Sequence, residues 1–382
     1  MKKKTCKYLD STIWGTMQIM PKVIHPCCMS SAALYQDENL DVNKIDIDEY
    51  MQKRKDFAEK MNQGLVCNGC ELIIEKDEEC IDVGKISYLN LGLFTACNLR
   101  CKYCYYKKEH LSEKLDISKT YIVPFLKKLI EHDVLKDDIR LGLFGGEPLL
   151  YNDIAEALQC LKERYKHPSL SFLSNSTITS RAVKLAKELD KVKDFQKDLY
   201  TSVDAGTTKT YRELRGRDLY KDLTKNLVFY AKHNVFNRIT LKYILLFDHT
   251  NTSDKDIMGF LLLFNKVMKH QKGEMVFAID YDILSKDPIS MDMIMAGGKL
   301  YYAMSKIFKV HISYEGTGMA PETTKGGECI RLLENYACLY EKMPKSLYEH
   351  TVLTYLKVSN SLNVLLKIFD KIIKLIKIMY FQ

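Results

Sequence analysis

The sequence predicts an α/β fold, a partial (β/α)6 barrel in which strand-then-helix units repeat along the chain. From residue 85 onward, short apolar runs typical of buried strands alternate with longer amphipathic segments. This alternation favours parallel strands with helices outside them. The periodicity by itself fits an open doubly wound sheet equally well. The spacing of the units favours the barrel, in which active-site groups lie at the C-terminal ends of the strands.

Each predicted strand is followed by a predicted helix. The strands are expected at residues 86–94, 139–144, 170–173, 199–203, 239–247 and 275–279. The helices are expected at residues 118–132, 152–165, 179–189, 219–233, 254–270 and 291–308. Ser118 is the expected N-cap of the first of them.

Composition is that of an ordinary globular protein. Of 382 residues, 46% are hydrophobic and 28% are charged. The chain lacks an apolar run of about 18 residues, and no apolar signal-peptide core follows the basic residues 1–4, so we expect a cytoplasmic protein. The net charge of +8 comes from lysines spread along the chain, which indicates a solvated surface, and no nucleic-acid partner is expected.

The pattern divides the chain into three parts. Residues 1–84 form an irregular cysteine-bearing unit, residues 85–315 the barrel core, and residues 316–382 a C-terminal extension. Residues 361–382 predict a helix with a narrow lysine stripe and a broad apolar face. We expect this helix to dock on the protein body or on a partner chain, and binding to an anionic membrane surface is the alternative.

Cysteine is the most informative residue type. Twelve cysteines without an export signal favour metal ligation or redox chemistry over disulfides. Cys97, Cys101 and Cys104 lie in one loop after the first predicted barrel strand. Thiolates are the usual ligands of iron–sulfur clusters, and three of them on a four-iron cluster would leave one iron open. A structural zinc site is the alternative, although it needs four ligands in a closed set.

Polar residues end the next three predicted strands. Gly145-Gly146-Glu147-Pro148 ends the second, Ser174-Asn175 the third, and Ser202 with Asp204 the fourth, with Arg215 a little further on. Glycines let a backbone approach a ligand closely, and carbonyl or carboxylate oxygens accept hydrogen bonds from an ammonium group. Taken singly, each polar strand end could equally be a helix cap.

Together these features resemble the radical S-adenosylmethionine (radical SAM) superfamily over about residues 85–315. The resemblance rests on the cysteine spacing, on Tyr103 before the last cysteine, and on the Gly-Gly-Glu-Pro segment after the next strand. It implies a [4Fe–4S] cluster on Cys97, Cys101 and Cys104. It also implies S-adenosylmethionine as cofactor, bound by Tyr103, Gly145, Gly146, Glu147, Pro148, Asn175, Ser202 and Arg215. The Glu147 segment would meet the amino group, Asn175 the ribose side, and Ser202 and Arg215 the carboxylate and ribose.

The resemblance implies a reaction type without naming a catalytic residue. An external one-electron reductant would reduce the cluster, S-adenosylmethionine would be cleaved, and the 5′-deoxyadenosyl radical would abstract hydrogen from a peptide or carbohydrate-type small molecule. The alternatives are an activase of a glycyl-radical enzyme and a non-catalytic metal-binding protein.

A second group of cysteines precedes the barrel. Cys6, Cys27, Cys28, Cys67 and Cys70 resemble an auxiliary-cluster region of the SPASM or twitch type, which in relatives usually follows the barrel. The resemblance implies a second iron–sulfur cluster with four thiolates, one of them from Cys27 or Cys28. A zinc site and unligated thiols are the alternatives. The remaining cysteines are assigned less specifically: Cys80 is an extra ligand or free, Cys160 is core, and Cys329 and Cys338 are core or hydrogen donors.

Overall fold

The computed structural model describes residues 1–26, 33–106, 114–192, 194–281, 289–314 and 323–361. By its internal contacts the chain forms two compact units. Unit one comprises Met1–Thr201 and His233–Arg238, and unit two comprises Ser202–Lys232 with the chain from Ile239 onward. These two units do not follow the three parts that the sequence predicts, residues 1–84, 85–315 and 316–382, and nothing in the structure tests that division, which stays a prediction.

Unit one contains most of the strands in the described residues. In the described residues they are β1 (Lys2–Cys6), β2 (Thr16–Met20), β3 (Val23–His25), β4 (Tyr35–Gln36), β5 (Ile73–Asp77), β6 (Ile86–Leu91), β7 (Leu135–Leu143), β8 (Ser169–Leu173) and β9 (Gln196–Ser202). β1 and β5 form a separate antiparallel pair. The others follow the order β9-β8-β7-β6-β2-β3-β4.

The strands β2, β6, β7, β8 and β9 are parallel to their neighbours, which confirms the predicted α/β class with a parallel sheet. β3 pairs antiparallel with β2, and β4 pairs antiparallel with β3. One set of alternating side chains is fully buried and apolar, as Leu89, Leu141 and Phe172 show. Because side chains alternate across a strand, the residues between them lie on the opposite face.

The helices of unit one begin at recognisable caps or turns. They are α1 (Ile47–Asn62), α2 (Val123–Glu131), α3 (Ile154–Arg164) and α4 (Thr179–Leu189). In α1 the Asp46 side chain accepts from Glu49 N. The same helix carries Arg54, which is fully buried and donates to the carbonyls of Leu9, Thr16 and Val83. Three backbone acceptors satisfy this buried guanidinium and tie α1 to the chain around β2.

Unit two continues with alternating helices and strands. Its elements are α5 (Thr208–Arg215), α6 (Tyr220–Lys232), β10 (Arg238–Leu245), α7 (Asp254–Met268), β11 (Glu274–Tyr281), α8 (Met291–Tyr302), β12 (His311–Ser313) and α9 (Thr324–Lys342), followed by a helix over residues 347–361. A π-helical turn, Ala303–Phe308, extends α8. β12 pairs parallel with β11.

Some predicted elements differ from those observed. The helix expected at 118–132 begins only at Val123, because Ser118 lies in a 3-10 turn capped by Asp116 and Pro124 occupies the first turn of α2. The strand β12 was not predicted. In the described residues no helix is long and apolar enough to cross a membrane. Cys27, Cys28 and the predicted C-terminal helix beyond residue 361 lie outside the described residues.

Candidate functional site

The three-cysteine loop follows β6 directly, at the C-terminal end of a parallel strand. Cys97, Cys101 and Cys104 are all half-buried. A turn in which Cys104 N donates to Cys101 O (3.3 Å) draws the last two together. The sulfur of Cys97 accepts from the backbone N–H of Leu99 (3.4 Å) and from Nδ2 of Asn175 (3.5 Å). Two donors therefore already point at the atom that would bind iron.

The electrostatic setting of Cys97 favours a neutral thiol in the absence of metal. Burial, and then the charge of Glu147, raise the pKa of the Cys97 thiol to about 12. A metal ion or cluster replaces this proton when it binds, because only the thiolate is a ligand.

The Gly-Gly-Glu-Pro segment runs alongside the chain that enters the cysteine loop. Gly146 N donates to Phe94 O and Glu147 N donates to Ala96 O, both at 2.9 Å. A Cβ on Gly146 would lie 2.1 Å from the Ala96 carbonyl oxygen. Gly145 has φ +105°. In this structure, then, the glycines are needed for close approach to residues 94–96, and this contact fixes the base of the loop.

The side chain of Glu147 is fully buried. Its carboxylate accepts from Ser174 Oγ (2.5 Å), Leu149 N (3.0 Å) and Asn175 N (2.8 Å). Burial raises the pKa of Glu147 to about 7, although these three hydrogen bonds act in the opposite direction. The carboxylate therefore holds the end of β8 against the turn that Pro148 begins.

Asn175 links that turn to the cysteine loop. Its Oδ1 accepts from Thr177 N (3.0 Å) and Thr177 Oγ1 (2.6 Å). Its Nδ2 donates to Asn98 Oδ1 (2.8 Å) and to Cys97 Sγ. Asn98 Nδ2 in turn donates to Thr177 Oγ1 (2.8 Å), which closes a ring of hydrogen bonds.

The remaining predicted cofactor residues are Tyr103, Ser202 and Arg215. Tyr103 is half-buried in the cysteine loop. In unit two, Ser202 ends β9, and Arg215 ends α5 before Gly216, whose left-handed φ of +71° closes that helix. The buried Arg215 guanidinium pairs with the Asp204 carboxylate and donates to the Ser202 carbonyl. Arg215 is thus held beside Ser202.

Three of the upstream cysteines are brought together in unit one. Cys6 pairs with Ile73 across β1 and β5, and Ile73 follows Cys70 by one turn, in which Ile73 N donates to Cys70 O (3.3 Å). Burial, and then the neighbouring thiols of Cys6 and Cys70, raise the pKa of Cys67. Cys6 and Cys67 also pack on a small apolar cluster formed by Leu9, Phe57 and Met61.

The described residues hold no preformed site for a single metal ion. Over the described residues, no three Cys, His, Asp or Glu side chains already surround a point closely enough for a single metal ion. In an iron–sulfur cluster each thiolate binds a different iron, so its ligands stand further apart. The half-buried thiols of the loop, with donors at Cys97, fit a cluster with three protein ligands.

A polar strand face in unit one was missed by sequence reasoning. Paired residues of parallel strands share a face, and one row runs Gln18, Asn90, Gly142, Ser171 and Asp198. Asn90 Nδ2 donates to Gln18 Oε1 (3.3 Å). A Cβ on Gly142 would lie 2.4 Å from Asn90 Oδ1, so glycine leaves room for this pair.

The neighbouring row of the polar strand face is centred on Arg140. Its Nη2 lies 3.2 Å from Tyr200 Oη and 3.6 Å from Asp198 Oδ2, and its guanidinium lies over the Tyr88 ring at 5.4 Å. The signal was present in the sequence, since every second residue of these strands is polar or glycine. Attention to the strand ends alone overlooked it.

Comparison with known proteins agrees with this geometry. Residues 91–261 match the family model of the radical SAM superfamily. A probable GTP 3′,8-cyclase of Methanococcus aeolicus is 23% identical over 177 residues, which covers 46% of this chain and 56% of that protein. The radical SAM cyclopropyl synthase TigE of Paramaledivibacter caminithermalis is 24% identical over 199 residues, covering 48% of this chain and 41% of that protein.

Among solved structures, Streptococcus suis SuiB bound to precursor peptide SuiA aligns with a TM-score of 0.44 and 14% identity, covering 82% of this chain and 62% of that one. The chain spans about half the length of the two curated relatives above.

Residues 91–261, with the cysteine loop and the Gly-Gly-Glu-Pro turn, therefore form a radical SAM domain. The family model thus assigns residues 91–261, somewhat less than half of the chain, to the radical SAM superfamily, whose members are enzymes.

Proposed function

We propose that this protein cleaves S-adenosylmethionine reductively and abstracts hydrogen from a peptide or carbohydrate-type substrate. The observation that carries the proposal is the contact between the Cys97 loop and the Gly145–Glu147 turn. Three thiols and a cofactor-type backbone turn are held side by side through Phe94 and Ala96. Both belong to unit one, which makes the arrangement a property of one compact unit.

When bound, a [4Fe–4S] cluster with S-adenosylmethionine on its open iron supplies the reducing electron and the adenosyl radical. Cys97, Cys101 and Cys104 would hold the cluster. The backbone of Gly145 and Gly146, Glu147 and Pro148 would shape the cofactor's amino end, with Tyr103 beside it. Ser202 and Arg215 would hold the cofactor's carboxylate and ribose. Arg215 would do so while it remains paired with Asp204.

The polar strand face supports a polar substrate. Arg140, Tyr200, Ser171 and Asn90 offer donors and acceptors on one side of a parallel sheet, as hydroxyls and peptide groups require. The similarity to a GTP 3′,8-cyclase makes GTP a second candidate substrate.

We propose further that residues 1–84 hold a second iron–sulfur cluster beside the core at residues 85–315, with residues 316–382 as an extension. Cys6, Cys67 and Cys70 supply three ligands, and Cys27 or Cys28 supplies the fourth. The support is geometric: Cys6 lies opposite Ile73, whose N–H donates to Cys70 O, and Cys70 N donates in turn to Cys67 O (3.0 Å).

The test is the cleavage reaction itself. Anaerobically reconstituted protein, supplied with dithionite and S-adenosylmethionine, should release 5′-deoxyadenosine. The variant with Cys97, Cys101 and Cys104 all changed to alanine should release none, whereas Cys160→Ala, on the half-buried part of α3, should match the wild type. Wild-type protein that binds only zinc, or that forms a cluster without cleaving the cofactor, would refute the proposal. Ser202→Ala should retain iron and bind S-adenosylmethionine more weakly.

A further inference from the structure

The side chain of Asn175 has a fixed orientation. Thr177 N–H can only donate, so the Asn175 atom 3.0 Å from it must be the oxygen. The amide nitrogen then necessarily faces the other way, toward Cys97 Sγ and Asn98 Oδ1. The Thr177 hydroxyl donates to the same oxygen and accepts from Asn98, so every partner in the ring agrees on this orientation.

The hydrogen-bonding capacity of this amide is fully used. Both N–H groups and both lone pairs of the oxygen have partners within unit one. The backbone of Asn175 is fixed as well, because its N–H donates to the buried Glu147 carboxylate at 2.8 Å. The side chain is therefore held at the sulfur and is not free to turn toward a ribose.

We propose that Asn175 is a positioning residue that sets the reduction potential of the cluster through its hydrogen bond to the Cys97 sulfur. This inference rests on the proposed function, since it needs a cluster on Cys97. Reduction adds negative charge, part of which lies on the thiolate sulfurs. An N–H donor at a sulfur stabilises the reduced form more than the oxidised form and raises the potential.

In the described part of the chain two donors reach this sulfur, and one of them, the side chain of Asn175, can be altered by mutation without changing the backbone. The Leu99 N–H belongs to the loop itself. Asn175 lies just after β8, so the chain can set the potential from a segment that contributes no cluster ligand. The Glu147 carboxylate affects the Cys97 sulfur indirectly, because it accepts the hydrogen bond that fixes the Asn175 backbone.

Asn175→Asp tests the donor with little change of shape. Aspartate keeps the oxygen that accepts from Thr177, replaces the amide nitrogen by an oxygen that cannot donate to Cys97, and adds a negative charge that acts on the potential in the same direction. Ser176→Ala is the matched control, because Ser176 is buried in the same turn but its hydroxyl pairs with Thr201 Oγ1 (2.9 Å). The midpoint potential is measured by EPR-monitored titration of the reduced-cluster signal that changes when S-adenosylmethionine is added.

We expect N175D to retain its iron and to shift this potential to more negative values, with S176A at the wild-type potential. An unchanged potential in N175D overturns the inference, as does an equal shift in S176A. A second measurement needs no variant. Pulsed EPR of wild-type protein labelled with 15N in the asparagine side chains should show a coupled nitrogen, and its absence also overturns the inference. Failure of the wild type to form any cluster would instead refute the proposed function.

Discussion

Glu147 Oε1 accepts a hydrogen bond of 2.5 Å from Ser174 Oγ, and this contact joins the turn after β7 to the end of β8. Both side chains are almost completely buried. The same carboxylate also accepts from Leu149 N and Asn175 N, so one charged group organises two strand ends beside the cysteine loop. Buried carboxylates persist when hydrogen bonds compensate the cost of their desolvation.

Glu147→Gln should destabilise the protein by about 1–3 kcal/mol, because its amide NH2 must face one of these N–H or O–H donors and leave it unsatisfied. The free energy of unfolding from denaturant titration is the measurement. Glu163→Gln is the matched control, since Glu163 is exposed and accepts from Gln159 on the surface of α3. A loss in E147Q no larger than in E163Q would show that the carboxylate is not needed for this arrangement.

Gly146→Ala should impair iron loading of the cysteine loop. The new Cβ would meet the Ala96 carbonyl at 2.1 Å, which forces residues 95–96 away and displaces Cys97. Iron and sulfide per chain are measured after anaerobic reconstitution. Gly84→Ala serves as the control, because its nearest neighbour is Asp82 Oδ1 at 3.4 Å, an ordinary contact. Normal loading in G146A would mean that the close approach is dispensable.

Changing Cys6, Cys67 and Cys70 together to alanine should lower the iron content from about eight to about four per chain, four for each four-iron cluster. The EPR signal that responds to S-adenosylmethionine should remain. Cys80→Ala is the matched control in the same region, since Cys80 is exposed. If the wild type holds only about four irons, or if zinc accompanies the upstream cysteines, the second cluster is refuted.

The stability of the fold should depend on pH because of a buried ion pair in unit two. Glu349 lies 2.9 Å from Lys299, and its side chain is 7% exposed. Desolvation raises the pKa of Glu349, but the hydrogen bonds from Lys299, Ser346 N and Tyr340 outweigh it and lower this pKa from 4.5 to about 2. A depressed carboxylate pKa stabilises the fold above pH about 4.5, and this contribution is lost as the pH falls toward 2.

The contribution should be on the order of 3 kcal/mol at neutral pH. Glu349→Gln should therefore be less stable than wild type at neutral pH, and the two stabilities should converge in acid. Denaturant titrations across this pH range give the comparison, with the exposed Glu341→Gln as control. A constant difference between wild type and E349Q at every pH would contradict the assignment.

The sequence was informative where local chemistry determines structure. The helix expected at 179–189 is observed with those bounds as α4, and the cysteine loop follows its strand as expected. The parallel strands follow from buried apolar runs alternating with helices. Such features depend on residues that are neighbours along the chain.

What could not be predicted depends on contacts between distant segments. The glycines of the Gly145–Gly146 turn contact residues 94–96, and nothing in the local pattern names that partner. The amide nitrogen of Asn175 donates to Cys97, 78 residues away in the chain, and the local pattern does not name this partner either. Predicting which side chains surround Arg140 requires the register of the paired strands, and periodicity within one strand does not determine that register.

The parallel pairing of β2 with β6, from Thr16 opposite Tyr88 to Ile19 opposite Leu91, has a practical consequence. The change of composition near residue 84 invites removal of everything before it. Such a shortened protein would expose a bare edge of β6, the strand that leads into the cysteine loop. Unprotected strand edges recruit other chains, so the shortened protein should aggregate. We therefore expect the cysteine-bearing N-terminal segment also to protect this strand edge from pairing with a second copy of the chain.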